Sequence, residues 1–406
     1  MKTALFYFAW LLFALEGFSR LLVLRPQVKD FNRIYFTPLV VDSSLHESRL
    51  GIGNQKSRLP IFQQHILWIS DPDHFDFSHV LNLYGFRGDT FPVEKAPEKM
   101  RVLFIGDSFM EGFGADDDHT IPRLVEQNVQ QDSAQKLEAI NLGVGATGLD
   151  EYTNLIKVAA PLLKPDVVVV AIYQNDLPAT GYKPEMTGIP VPILDAGWHS
   201  RFLSIMESVR THAPIPTRFH KGRYAFFRPV PDATNPFSGK SPAEVAAQTQ
   251  AAEPLVAAAL QGRFNPYVLG VAHLTEESLK VTLDEHNGAL LYLRAIKAAT
   301  DNVGAKLLLV YIPLHVTVSD FYYPAWNELG QPFQSKSLTG PDFHQQQTHL
   351  QTCAQQLGIE FVDTTPRIEE RERTGKHLYH RYDSHMNADG YQVVANLISA
   401  RLSVTK

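Results

Sequence analysis

Apolar positions along the chain fall into three regimes. From Ala4 to Leu15 they are continuous (ALFYFAWLLFAL), and after Glu16, Gly17 and Ser19 they resume at Leu21–Leu24. Between 25 and 98 they are scattered among turn-forming stretches such as DPDHFDFSH and GFRGDTF, with no long periodic element. From Arg101 onward, short apolar runs alternate with helical periodicity. RVLFIG, KLEAINLG, PDVVVVAIY, AKLLLVYIP and GIEFVDTTP are brief, mostly rich in β-formers and bounded by turn residues, and so predict strands. The nearly all β-branched PDVVVVAIY has the unbroken pattern of a parallel strand covered on both faces. IPRLVEQNVQQ, DEYTNLIKVAAPLL, ESLKVTLDEHNGALLYLRAIKAATDN, a stretch around 342–356 and ADGYQVVANLISARL predict helices. This βαβαβ alternation implies a doubly wound parallel sheet.

The alternation is interrupted. Residues 177–235 are rich in Pro, Gly and aromatics, and SPAEVAAQTQAAEPLVAAALQ predicts a helix broken at Pro254. The expected organisation is therefore a membrane or signal-like segment at 1–24, a cap or linker at 25–98, a core formed by 99–176 with 271–406, and an insertion at 177–270.

The run of 12 at the N-terminus is short for a spanning helix, which needs about 20 mostly apolar residues. It has the length of a signal-peptide core but no convincing small-x-small cleavage site follows it. One tilted helix from Thr3 to about Leu24, kept as an anchor, is the expectation. Its orientation stays open. Arg20, Arg25, Lys29 and Arg33 would hold the following side in the cytoplasm, whereas an envelope substrate would need the catalytic domain outside it.

Composition narrows the function classes. A chain of 406 residues, 44% hydrophobic and 20% charged, can bury a sizeable core. A net charge of -6 without a basic stripe argues against a nucleic-acid binder. The single cysteine, Cys353, excludes an internal disulfide and a Cys-based zinc cage. It lies in a helical pattern with no partner His suggested nearby, so a buried, inert thiol is expected.

Candidate chemistry gathers at strand ends. The first core strand ends in Gly106-Asp107-Ser108-Phe109, which puts Ser108 at a strand-to-helix turn, where ligands bind in open parallel sheets. A nucleophilic Ser needs a base, and the base needs an orienter. Asp383 and His385 lie in the loop before the last helix, which returns to the same sheet edge, and Asn387 is positioned to cap that helix. Acyl transfer also needs oxyanion donors. The third strand ends at Tyr173-Gln174-Asn175-Asp176 and the second at Asn141-Leu142-Gly143-Val144-Gly145-Ala146. Each residue taken alone is an ordinary turn residue; their convergence on one edge is the signal.

With these blocks in order — GDSF, NLGVGATG, YQND and DSH — the sequence resembles the SGNH/GDSL hydrolase superfamily over roughly 100–176 and 300–403. The resemblance implies a flavodoxin-like three-layer α/β/α sandwich around a parallel sheet. It implies Ser108 as nucleophile and backbone oxyanion donor, Asn175 as side-chain donor, His385 as base, Asp383 as its orienter, and Asp107 and Asn387 as supporting residues. The apolar N-terminus with Glu16 and Arg20, and the N-x-x-GFRG segment from Asn82 to Gly88, are similar to membrane-anchored bacterial members. The late D-x-H-x-N looks like that of alginate O-acetylation proteins. Three positions depart from the pattern. Ala146 stands where the second block has Gly, with Gly145 as the neighbouring alternative donor. Tyr173 replaces a Gly and is expected to narrow the site. Asp383 and His385 are two apart rather than three.

The implied activity is an ester hydrolase or O-acyltransferase without cofactor or metal, acting on an acetylated or acylated envelope glycan. A lipid esterase and a tethered, non-catalytic glycan- or partner-binding module are the alternatives. Gly143-x-Gly145-x-x-Gly148 has the form of a dinucleotide fingerprint, but it follows the second strand, and Asp166 begins the next strand rather than ending it. The His74/His79 and His377/His380 pairs lack a metal-ligand pattern, Asp116–Asp118 is expected in a solvated loop, and Arg87 is expected in an ion pair or reaching toward the site.

Overall fold

The structure, a computed structural model, describes residues 64–70, 75–82, 86–132, 136–177, 217–219, 223–225, 237–260, 266–269 and 289–403, apart from a few positions inside those ranges, with isolated residues elsewhere. Strands β1 (Gln64–Ser70) and β2 (Phe75–Leu81) form an antiparallel hairpin. It arises where the sequence suggested only turns, because neither strand alternates cleanly enough to stand out.

The central sheet is built from β3 (Lys99–Ile105), β4 (Lys136–Asn141), β5 (Val167–Ile172), β8 (Lys306–Tyr311) and β9 (Glu360–Asp363), while β6 (Thr217–Phe219) and β7 (Arg223–Ala225) make a separate short hairpin. Its order is β4-β3-β5-β8-β9 and every pairing is parallel. This is the flavodoxin-type winding order, with its switch point beside β3.

Helices are α1 (Ser108–Glu111), α2 (Ile121–Asp132), α3 (Leu149–Leu163), α4 (Pro242–Thr249), α5 (Glu253–Leu260), α6 (Ala289–Asp301), α7 (Gln345–Leu357), α8 (Thr365–Arg373) and α9 (Ala388–Ser403), with shorter turns at His315–Val318 and Tyr323–Glu328. Side chains of successive strand residues alternate between two apolar layers. Val102, Phe104, Val169, Ala171 and Val310 pack with Leu124, Val125, Val394 and Ile398 from α2 and α9. Leu103, Ile105, Val168, Val170 and Leu309 pack with Ile156, Ile296 and Leu350 from α3, α6 and α7. Each such Val, Leu or Ile contributes roughly 1.5–3 kcal/mol by leaving water, which is why the strand segments are continuous apolar runs.

The expected helix break at Pro254 is displaced. The chain leaves the helix at Gln250, which takes a left-handed conformation with φ 56°, and its N–H still bonds to the Ala246 carbonyl at 2.7 Å. Pro254 sits in the first turn of α5, where a missing N–H costs nothing. Val245, Leu255, Val256 and Leu269 join Phe77 and Phe237 in a third apolar cluster, separate from the two sheet layers. The rest of the 177–270 stretch lies largely outside the described residues. So does most of Ala4–Leu24, on which the anchor expectation rests; among the described residues no helix is long and apolar enough to cross a membrane.

Candidate active site

Ser108 opens α1 directly after β3, at the carboxyl edge of the sheet. The tight exit is made by Asp107, whose carboxylate caps the helix by accepting the Phe109 N–H at 2.9 Å. Asp107 is buried, and burial pushes its carboxyl up to about 6 against the Phe109 hydrogen bond and the charge of His385.

The loop before α9 brings the two distant candidates to this turn. His385 Nε2 lies 2.7 Å from Ser108 Oγ, and His385 Nδ1 hydrogen-bonds Asp383 Oδ1, which also accepts the His385 backbone N–H at 3.0 Å. A carboxylate can only accept, so Nδ1 carries the hydrogen and Nε2 presents its lone pair to the Ser108 hydroxyl. Burial alone would raise the Asp383 carboxyl; the charge of His385 and its hydrogen bonds reverse this and hold it at about 2. Burial would conversely lower the His385 imidazole, but the Asp383 charge and hydrogen bond, with Asp107 and Glu111 behind them, raise it above its ordinary value.

The loop carrying Asp383 and His385 is closed by backbone pairing. A bridge links Tyr379 and Met386, and the His380 N–H donates to the His385 carbonyl at 3.0 Å. Asn387 donates from its amide to the His377 carbonyl at 2.8 Å and accepts the Gly390 N–H at 3.0 Å, which makes it the cap of α9. The rings of Phe113 and Phe109 lie 4.6 and 5.1 Å from the imidazole and fix its plane. Tyr173 is buried and stacks on Phe109 at 4.1 Å.

The oxyanion candidates fare unequally. The Gly145 N–H donates at 2.6 Å to Glu111 Oε2, a buried carboxylate that sequence reasoning did not single out, so this donor is already engaged. A charged side chain three residues after Ser108 was the signal available for it. Ala146 lies outside the described residues. Asn175 belongs to the 3-10 turn Gln174–Asp176 off the end of β5, but its side chain is likewise outside the described set. That turn is fastened by Asp176, which accepts the Tyr173 N–H at 2.7 Å. The Ser108 N–H is in the first turn of α1, where backbone donors have no intrahelical partner.

Gly143 in the second block has a packing role. A Cβ on Gly143 would stand 2.3 Å from the Glu111 backbone nitrogen, so the turn passes against the backbone of α1 where no side chain fits.

Other expectations shift. Cys353 is buried as expected, but it does have a histidine neighbour: His349 Nε2, one helical turn earlier, lies 3.4 Å from its sulfur. Burial pushes the thiol up, which opposes thiolate chemistry. His377 pairs with Glu372 at 3.0 Å, and His380 Nε2 donates to the Gly114 carbonyl at 3.1 Å. The side chains of His74 and His79 are outside the described set. Among the described residues no group of three or more His, Cys, Asp or Glu is arranged to hold a metal ion.

No protein-family model and no curated protein matches the sequence. Solved structures match in outline. TesA aligns over 74% of this chain and 97% of its own, at 11% identity and a TM-score of 0.36. A lipase/acylhydrolase from Enterococcus faecalis aligns over 74% and 94%, at 11% and 0.36. The psychrotrophic esterase EstA from Pseudoalteromonas sp. aligns over 76% and 100%, at 8% and 0.33. Likeness at this level carries no argument about chemistry, which rests on the side-chain geometry.

Proposed function

We propose that the chain is a serine-dependent ester hydrolase or O-acyltransferase of the SGNH/GDSL type that works through an acyl-enzyme on Ser108. The observation that carries this is the continuous relay from Asp383 through His385 to Ser108 Oγ, with Nε2 and Oγ 2.7 Å apart. His385 takes the Ser108 proton as Oγ attacks the acyl carbonyl. The Asp383 carboxylate holds the tautomer and offsets the imidazolium charge. The tetrahedral oxyanion is met by the Ser108 N–H and, as the family resemblance implies, by the Asn175 amide and the turn at Ala146. Collapse releases the alcohol with the proton returned from His385. Water or a second hydroxyl then takes the acyl group by the reverse sequence. Each step uses side chains and backbone donors of the chain together with the acyl acceptor.

The substrate class we favour is an acetylated or acylated envelope glycan, with the chain tethered by its apolar N-terminus and the catalytic part outside the cytoplasm. What supports this is the N-terminal apolar run and the sequence likeness to anchored members. Two measurements test the reading. The protein should react with a serine-directed fluorophosphonate, and it should release acetate from acetylated polysaccharide faster than it cleaves long-chain p-nitrophenyl esters. A preference for long chains would replace the glycan by a lipid ester, and a folded protein that does not label would leave a binding module.

The base also dictates a pH dependence. His385 acts only when neutral, and its pKa is raised by the surrounding carboxylates, chiefly Asp383. The acid limb of kcat/KM should therefore rise through a pH above the ordinary imidazole value of about 6.5. Asp107 lies close by, and its charge adds to the support of the imidazolium. A limb centred well below the ordinary imidazole value would contradict the assignment of His385 as base.

A further inference from the structure

The segment from Asn82 to Gly88 precedes the core yet reaches the nucleophile's support. Asn82 closes a short loop: its backbone N–H donates to the Phe86 carbonyl at 2.7 Å, and its side-chain oxygen accepts the Phe86 N–H at 3.1 Å. Gly88, with φ 105°, then turns the chain away. The residue between, Arg87, is buried with no exposed side-chain surface. Its Nε donates to Asp117 Oδ1 at 2.7 Å, its Nη1 to the carbonyls of Glu111, at 3.3 Å, and Gly112, and its Nη2 to the carbonyl of Ala115. Asp117 is thereby buried in an ion pair, not solvated as its acidic neighbours suggested.

These contacts complete a pattern. Helix α1 is only four residues long, so its last carbonyls have no intrahelical partner. At and beyond that end, all five carbonyls from Glu111 to Ala115 are reached by side chains from distant elements, that of Gly112 also accepting the Ala115 N–H at 3.4 Å. Arg87 takes those of Glu111, Gly112 and Ala115, the Tyr391 hydroxyl takes that of Phe113 at 2.6 Å, and His380 that of Gly114 at 3.1 Å. The same turn carries Phe113, which packs on the His385 ring at 4.6 Å, and Glu111, which holds the Gly145 N–H. A planar guanidinium with five donors can serve three carbonyls and a carboxylate at once; an ammonium cannot reach them from one point.

We infer that Arg87 is a positioning residue for the catalytic centre, setting the 111–115 turn and through it the relation of Ser108 to His385. The inference rests on Ser108 being the nucleophile. Its test uses the full chain with Arg87→Lys, which keeps the charge and loses the fan, and with Tyr391→Phe, which removes only the hydroxyl on the Phe113 carbonyl. The readouts are the rate of fluorophosphonate labelling, kcat and KM for p-nitrophenyl acetate, and the thermal midpoint.

For Arg87→Lys, labelling and kcat per folded molecule should fall by about 10- to 100-fold, the scale of a displacement near 1 Å, with KM within about twofold. Tyr391→Phe should change the same quantities in the same direction, by about threefold or more, and decides the matter if Arg87→Lys does not fold. A purely structural role would lower the midpoint and leave the rate per folded molecule at the wild-type value. Wild type that labels, with folded variants labelling equally fast, overturns this inference alone. Folded wild type that does not label overturns the serine-enzyme reading and the inference with it.

Discussion

Replacing Ser108 with alanine is expected to lower kcat on p-nitrophenyl acetate by about 10⁶-fold and to abolish fluorophosphonate labelling. The expectation follows from the proposed role of Oγ as the atom that forms the covalent bond. With Oγ gone, His385 retains its orientation through Asp383 but has no proton to take. What remains is binding and oxyanion stabilisation, which in other serine hydrolases leaves about 10³–10⁴ over water. The fold should be unaffected, because Ser108 is only partly buried and the Asp107 cap on the Phe109 N–H stays in place. The alanine variant should therefore give an unchanged melting transition. Turnover at more than a few per cent of wild type in a folded Ser108→Ala protein would remove Ser108 as nucleophile and leave the relay geometry without an assigned reaction.

Asp383→Asn carries the second largest expected effect, a fall in kcat of about 10⁴-fold. The substitution is nearly isosteric, so its consequence is electrostatic and tautomeric. The carboxylate accepts twice from His385, from Nδ1 and from the backbone N–H. An amide that turns its NH2 toward Nδ1 forces the hydrogen onto Nε2, where it faces Ser108 Oγ and blocks proton abstraction. The substitution also removes the largest influence holding the His385 pKa up, so any residual activity should show its acid limb at lower pH than wild type. The two effects separate the roles of Asp383. A drop in rate without movement of the limb would indicate lost orientation alone, and wild-type rate and limb together would show that the pairing is decorative. Measuring kcat/KM from pH 5 to 9 for both proteins distinguishes these outcomes.

Much of the fold was legible in the chain because it is driven by local pattern. The five core strands coincide with five short apolar runs, and α2, α3, α7 and α9 with four periodic ones. Where elements were missed, their stability comes from elsewhere. Helix α8 (TPRIEERER) buries only Thr365, Ile368 and Glu372, too few for a periodic stripe. It is held instead by tertiary contacts such as Tyr322 Oη to Glu372 at 2.6 Å. The break between α4 and α5 was placed at Pro254 because proline is the visible breaker, whereas the chain turned at Gln250, a residue with no such mark, where the Ala252 N–H finds the Glu328 carbonyl at 2.6 Å.

By itself, then, the sequence determined the parallel α/β core and nominated Ser108, Asp383 and His385, since periodicity and strand-end position are properties of neighbouring residues. Only the tertiary structure decided how those groups meet. The Nε2–Oγ contact joins residues 277 apart, and no local pattern encodes that distance. The engagement of Gly145 by Glu111, and the hold of Arg87 on three carbonyls of the 111–115 turn, are likewise matters of backbone groups finding donors and acceptors across the fold. A buried carbonyl or carboxylate must be paired wherever it lies, and which partner arrives is settled by packing, not by sequence neighbours.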